Sequence, residues 1–536
     1  MNPRNTAFAA LIFVTLYNLI FFQSGFGISA GLFFLILNIY FFLSRSTAAG
    51  NQNFGLLCSV LSITFAFLFS FRANLVVQLT DFLAAGFFSL IALFFYKYPG
   101  EVVYRILSFI GIPFLVIEKS LASLLLLLKN KDKNTPEDKD KYSPNAALLR
   151  GVVMTIPIFI ILLFLLIQAD PIFGKLTENL FKNIGERSII SAVLFTALLG
   201  LGLSKFIEKT TNRQELTISP GKSHELSVLT GSIIALFGVF ILIQFRYLFF
   251  SVGERELGQL GITSLTYSEY VRKGFFELLI AATLSSGIIL YIFKFLHHLK
   301  GKQKLLLQIS SAVFTIETGL LLLSAAKRLA LYADAHGLTR ARVFGFILLL
   351  WLAVILAIFL IRVFKQMKEK EFFAGTALAT LMLLALINVI NVDGLIAEKY
   401  KPTVNGEIDY YYLSNLSADA SGVWRESISD AERLVNQLEG LNELNIEDNR
   451  KLYWVYSTIK ELNFKTGHLE VKYNNLKWQE FNFSEYTAWR EVEKNQTIYN
   501  QIPDLLSRIE KLNIKISEEV RRNTRLDRSI DPPFLR

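Results

Sequence analysis

The stretch RVFGFILLLWLAVILAIFLIRVF, Arg342–Phe364, decides the class of this chain. Between Arg342 and Arg362 it holds no charged residue. A bilayer span needs about 20 mainly apolar residues, so this run predicts a transmembrane helix with a cation at each end. Similar runs lie on both sides. Leu305–Ala326 precedes it and Phe372–Asn391 follows it. Further upstream come Leu148–Ile167, Ser188–Ile207, Val228–Phe250 and Gly274–Phe293. An N-terminal group holds Ala7–Phe22, Ile28–Leu43, Phe54–Phe71 and Leu75–Tyr96. The expected fold is all-α: a polytopic membrane protein with about eleven transmembrane helices and a C-terminal helical extramembrane domain.

Composition agrees. The 536 residues are 52% apolar and 19% charged, with 47 Phe, where soluble domains are about a quarter charged. Cys58 is the single cysteine, which excludes a disulfide framework and any cysteine-based metal site. The N-terminal run after Arg4 has no small-x-small cleavage site and reads as an uncleaved first helix. Pro113, Glu118 and Lys119 interrupt residues 102–128, so that segment is expected to be interfacial or broken.

The expected organisation is a four-helix membrane segment (1–96), an interfacial helix with a charged cytoplasmic loop (97–147), a seven-helix core (148–399) and a helical domain (400–536). Lys and Arg set the orientation. With the N-terminus cytoplasmic, loops such as that with Lys129, Lys131 and Lys133, and that with Lys365, Lys368 and Lys370, fall inside. An odd number of spans then puts the C-terminal domain outside. Residues 401–536 hold 19 Lys+Arg and 22 Asp+Glu, so the first 400 carry the whole +10 excess and more. The tail predicts four amphipathic helices: one from Ser429 through Leu438, one at Asp448–Leu462, one from Ser484 to Val492, and one at Ile502–Ile516.

Several strings recur in order: Ala169-Asp170-Pro171, Gln244–Phe249, Tyr270–Leu278, Gly337-Leu338-Thr339 with Arg342, and Asn388, Asn391 and Asp393. Asp409, Tyr412-Leu413, Leu416-Ser417 and Asp419-Ala420 follow, then Trp478, Asn482 and Ser484. Together they resemble the bacterial polytopic membrane family known as domain of unknown function 4173, from about Asp170 to Trp489 and more loosely from Arg72. The resemblance implies a bacterial cytoplasmic-membrane protein and brings no activity, substrate or cofactor.

Ionisable groups inside a membrane are costly and mark candidate sites. Glu317 lies near the middle of the ninth expected span, Glu277 one turn inside the eighth, and Asp81 two turns inside the fourth. At the outer helix ends stand Asp170, Arg246, Tyr270, Arg272, Arg328 and Arg342. These could line an outward polar cavity, or tie helices together through Arg–carboxylate pairs. His297-His298 sits among lysines without a third ligand, so no metal site is expected; it suits anionic lipid headgroups. Pro220-Gly221-Lys222-Ser223 lacks the upstream glycine of a phosphate loop, and no hydrolase, kinase or metalloprotease motif occurs. Neither a catalytic residue nor a cofactor is expected.

Three functions are compatible with these features. The first is a non-enzymatic receptor or scaffold presenting 400–536 to an envelope protein or glycan. The second is a transporter or channel using the intramembrane carboxylates. The third is a membrane transferase acting on a lipid-linked donor. The expected surroundings are the lipid bilayer, with no nucleic acid.

Overall fold

A computed structural model describes residues 3–20, 24–46, 52–100, 103, 106–127, 234, several positions between 279 and 296, and 301–512 apart from 366 and 405. Among these the backbone is helical except for loops and one short antiparallel hairpin. The described residues fall into two compact units.

The first unit holds α1 (Pro3–Ile20), α2 (Ser29–Leu43), α3 (Gln52–Leu68), all but the first turn of α4 (Leu75–Lys97), and α5 (Ile106–Leu127). These helices are apolar on every side, the mark of a helix in lipid or in a large core. Their core is aromatic: Phe41, Phe95 and Tyr96 are buried together with Ile91 and Leu93. Small residues let the backbones approach. A Cβ on Gly31 would sit 2.3 Å from the Phe67 ring, and one on Gly55 2.9 Å from Tyr96. Polar groups pair across the seam, with Asn38 Nδ2 3.1 Å from the Ser62 hydroxyl and 3.0 Å from that of Ser89. Leu476–Asn482, far along the chain, belongs to this unit. It is strapped to the start of α2: Ile28 N donates to Phe481 O at 2.9 Å, and Gly25 N to Glu480 Oε1 at 2.8 Å.

The second unit begins, among the described helices, with α6 (Gly301–His336), α7 (Arg340–Lys365) and α8 (Glu369–Val389). At about 1.5 Å per residue α6 is roughly 50 Å long, well beyond a bilayer core of about 30 Å. It runs on past Ala326 because no breaker stands before Gly337, whose φ of +70° ends it. A side chain at Gly337 would also strike Lys401 O at 2.3 Å. Next come α9 (Val392–Lys399), β1 (Thr403–Val404) paired with β2 (Glu407–Ile408), α10 (Tyr410–Asn415), and a 3-10 turn (Ala418–Val423). The unit closes with α11 (Trp424–Glu439), α12 (Ile446–Asn474), α13 (Phe483–Lys494), α14 (Gln496–Tyr499) and α15 (Ile502–Leu512). One buried cluster joins Val343, Ile347 and Ile387 of the long helices to Ile396, Leu413, Leu416 and Val423.

Four described helices are long and apolar enough to cross a membrane: Leu75–Lys97, Lys304–His336, Arg340–Lys365 and Glu369–Val389. The expected count of about eleven is therefore not supported. α2 and α3 are only 15 and 17 residues long. α5 passes through Pro113 as one helix, in a segment expected to be interfacial or broken. The runs expected over Leu148–Phe250 lie outside the described residues apart from residue 234, as does part of Gly274–Phe293. In the tail, α11 starts at Trp424, five residues before the expected start at Ser429. α12 continues to Asn474 because Leu462, Leu469 and Tyr473 prolong its buried stripe.

Asp409 caps α10, its Oδ1 accepting Tyr412 N at 2.8 Å. Burial pushes its pKa up from 3.8 to about 6, against the lowering effect of that N–H. The folded chain thus holds this proton more tightly than the unfolded one. Stability is greatest below the ordinary carboxylate range and falls as pH rises toward about 6, by at most about 3 kcal/mol. Asp409→Asn keeps the cap. Thermal melts in detergent between pH 4 and 7 should lose this descending component in Asp409→Asn; an unchanged slope would exclude Asp409 as its source.

Candidate functional site

Sequence places Asp393 in the first turn of α9 and Asp419 in the first turn of the 3-10 segment. Both are acidic residues at a helical N-terminus, where the backbone dipole favours a negative charge. Folding buries both side chains: Asp393 is 0% and Asp419 1% exposed. A buried charge must be paired and hydrogen-bonded, and the unit supplies the partners from four distant parts of the chain.

Arg340, opening α7, grips Asp393 with both arms. Its Nε donates to Oδ1 at 2.8 Å and its Nη2 to Oδ2 at 2.5 Å. Asn74 Nδ2 donates to Oδ1 at 2.8 Å, and Ser417 donates to Oδ2 from its N at 2.8 Å and its Oγ at 2.6 Å. Burial pushes the Asp393 pKa upward, but the Arg340 guanidinium and the Ser417 donors outweigh it and hold the carboxyl below its usual range. Asp419 Oδ2 accepts Ala73 N and Asn74 N, each at 2.8 Å, and its Oδ1 accepts the Ser484 hydroxyl at 2.6 Å. The Arg72 guanidinium lies 3.8 Å away. Ser417 Oγ also lies 2.9 Å from Asp419 Oδ2. Its single hydrogen serves one carboxylate at a time.

Around this pair of carboxylates, cations close helix ends. The last carbonyls of a helix lack intrahelical donors. Arg72 donates to Asn388 O at 3.0 Å and Val389 O at 2.8 Å, closing α8. Arg342 donates to His336 O at 3.1 Å and also to Gly337 O, closing α6, with its guanidinium 4.0 Å above the Tyr332 ring. Lys465 of α12 donates to Leu416 O at 2.7 Å and to Ser414 O. The Tyr412 hydroxyl accepts Arg340 N at 2.8 Å.

Of the residues proposed from sequence, Arg342 is at this cluster, as a helix cap. Arg328 is buried in the last turns of α6. Glu317 is half-buried in mid α6, and its Oε2 has no hydrogen-bond partner among the described residues. Asp81 is fully buried in α4, in the other unit. Glu277, Asp170, Arg246, Tyr270 and Arg272 lie outside the described residues. Arg340, Arg72 and Asn74 were not singled out as site residues. Their partners are more than fifty to over three hundred residues away, and only the run of Asn and Asp from Asn388 to Asp419 hinted at the cluster. No group of three or more metal-ligating side chains occurs among the described residues.

Breaking one side of this clamp leaves a buried charge. Arg340→Met should destabilise the protein by about 3 kcal/mol. Combining it with Asp393→Leu should recover part of that loss, because the orphaned carboxylate is gone. Melting of the two variants in detergent tests this: equal or greater loss in the double variant would mean that the orphaned carboxylate is not the source of the loss.

No curated protein and no solved structure matches the chain. One family profile does, over residues 55–426, more than half of the chain and a span that takes in every clamp residue except Lys465 and Ser484. It is not the family numbered 4173 that the residue strings resemble; what stands is an uncharacterised family. The chain belongs to the family described as Domain of unknown function (DUF4153).

Proposed function

We propose that this protein is a multi-pass protein of the bacterial cytoplasmic membrane, acting as a non-enzymatic receptor or scaffold. In this reading the helical region after about residue 400 faces the extracytoplasmic side and the N-terminus faces the cytoplasm. The partner is an envelope protein or glycan. One observation carries the reading: both buried carboxylates are filled with protein donors. A catalytic or ion-binding carboxylate needs a free lone pair for its substrate. The clamp instead joins span ends to the helical region as one stiff joint, which suits presentation of that region. This also weighs against a transferase at this position. Orientation rests on charge. Lys302, Lys304, Lys365, Lys368 and Lys370 gather at the end of α6–α8 opposite the clamp, where short-loop cations favour the cytoplasm.

Placement is tested with single cysteines in a Cys58→Ser background. Cysteine at exposed Asn475 should react with a membrane-impermeant maleimide in intact cells, and cysteine at exposed Lys370 only after permeabilisation. The reverse pattern would overturn the placement and, with it, any extracytoplasmic partner.

A second reading, transport, is favoured by Glu317, a mid-span carboxyl with an oxygen lacking a partner among the described residues. Vesicles holding the wild type and Glu317→Gln should then differ at least tenfold in proton or cation flux; equal flux removes Glu317 from any such path.

A further inference from the structure

A cavity of about 210 Å³ lies away from the clamp, bounded by the β1–β2 hairpin, α10, α11 and α12. Its chemistry is divided. The outer part carries charges of both signs: Glu407, Asp430 and Lys451. Glu407 and Lys451 are the more exposed, 59% and 30% at the side chain, and stand 3.5 Å apart. Asp430 is anchored by the Tyr410 hydroxyl and by Arg433 at 3.2 Å. The deeper part is apolar. Ala431 and Val455 are buried there. Ser427 and Thr458 also line it, but their hydroxyl hydrogens go to Val423 O and Trp454 O of their own helices. Tyr411 and Trp454 complete the wall.

This division selects among ligands. A sugar carries hydroxyls around its whole body and needs donors as well as acceptors, whereas the hydrogens of Ser427 and Thr458 are committed and Ala431 and Val455 offer neither. A simple amine would leave Lys451 facing a like charge, and a simple acid would face Glu407 and Asp430. A head with both charges meets all three, and an apolar side chain fills the floor. The volume is below the roughly 300–1,000 Å³ of drug-sized sites, so the ligand is of single-residue size. We propose that this cavity binds a free α-amino acid with an apolar side chain. Its ammonium lies between Asp430 and Glu407, its carboxylate lies on Lys451, and its side chain rests against Ala431, Val455 and Trp454. The proposal does not depend on which side of the membrane this region faces.

Isothermal titration of the full-length protein in detergent tests it with three probes. L-leucine should bind. 3-Methylbutylamine, which lacks the carboxylate, and 4-methylpentanoate, which lacks the amine, should each bind at least tenfold more weakly. Lys451→Met should weaken leucine at least tenfold while tightening the amine, which loses a like charge. Ala431→Phe, which fills the floor, should abolish binding; its melting temperature shows whether it folds, and Ala431→Leu serves if it does not. Absence of leucine binding, an analogue that binds as tightly as leucine, or a folded floor-filling variant that still binds would each overturn the proposal.

Discussion

A carboxylate taken out of water must find a cation and enough donors, or the fold that buries it is lost. The second unit does this twice within one small volume, at Asp393 and Asp419, and much of its local path follows. Arg340 must stand where α7 begins, so the preceding turn must be sharp; Gly337 supplies the positive φ that makes it so. Asn74 must reach Asp393 while its own N–H reaches Asp419, which fixes the Arg72–Val77 segment beside α8 and α9. Ser417 must sit between the two acids, which sets the bend from α10 into the 3-10 turn.

The same place answers a second demand. α6 and α8 both end there, and each leaves carbonyls without intrahelical donors. Near lipid these cannot rely on water. Arg342 and Arg72 close them. The cations at these helix ends are therefore divided between two tasks: neutralising the acids and closing the helices. Val343, Ile387, Ile396 and Leu413 belong to one buried apolar cluster drawn from the same elements, and the low dielectric around the two buried acids strengthens their polar contacts.

What could be read from sequence follows the range of the interaction. The α7 run is legible because hydrophobic continuity is local, and the amphipathic stripes of α11, α12 and α15 are legible for the same reason. Ends were not legible: α6 runs past its expected end at Ala326 to the turn at Gly337, and α12 outruns its expected end because its stripe never breaks. Asn388, Asn391, Asp393, Ser417 and Asp419 drew notice as strings, yet a string does not reveal that Asn74 lies beside them. Arg340 read as one more loop charge because its meaning depends on Asp393, fifty-three positions on. The hairpin at Thr403–Ile408 and the six-residue α10 are too short to carry a period. The number of spans is a sum over every run, so it inherits the error of each short or interrupted helix, α2, α3 and α5 above all.

One element ties the clamp to the cavity. α10 has six residues: Tyr410 and Tyr411 face the cavity, and the Tyr412 hydroxyl accepts the N–H of Arg340. Its first cap is Asp409 and its last carbonyls are held by Lys465 from α12. A helix this short, fixed at both ends, has little freedom to bend; it moves as a block or not at all. The Tyr410 contact with Asp430 and the Tyr412 contact with the Arg340 backbone thus stand on one helical turn, and the Arg340 side chain holds Asp393. Energetic coupling requires such contiguous packing together with two alternative arrangements. Contiguity of this kind lies in α10, which joins the cavity wall at Tyr410 to the Arg340 backbone through the Tyr412 hydroxyl.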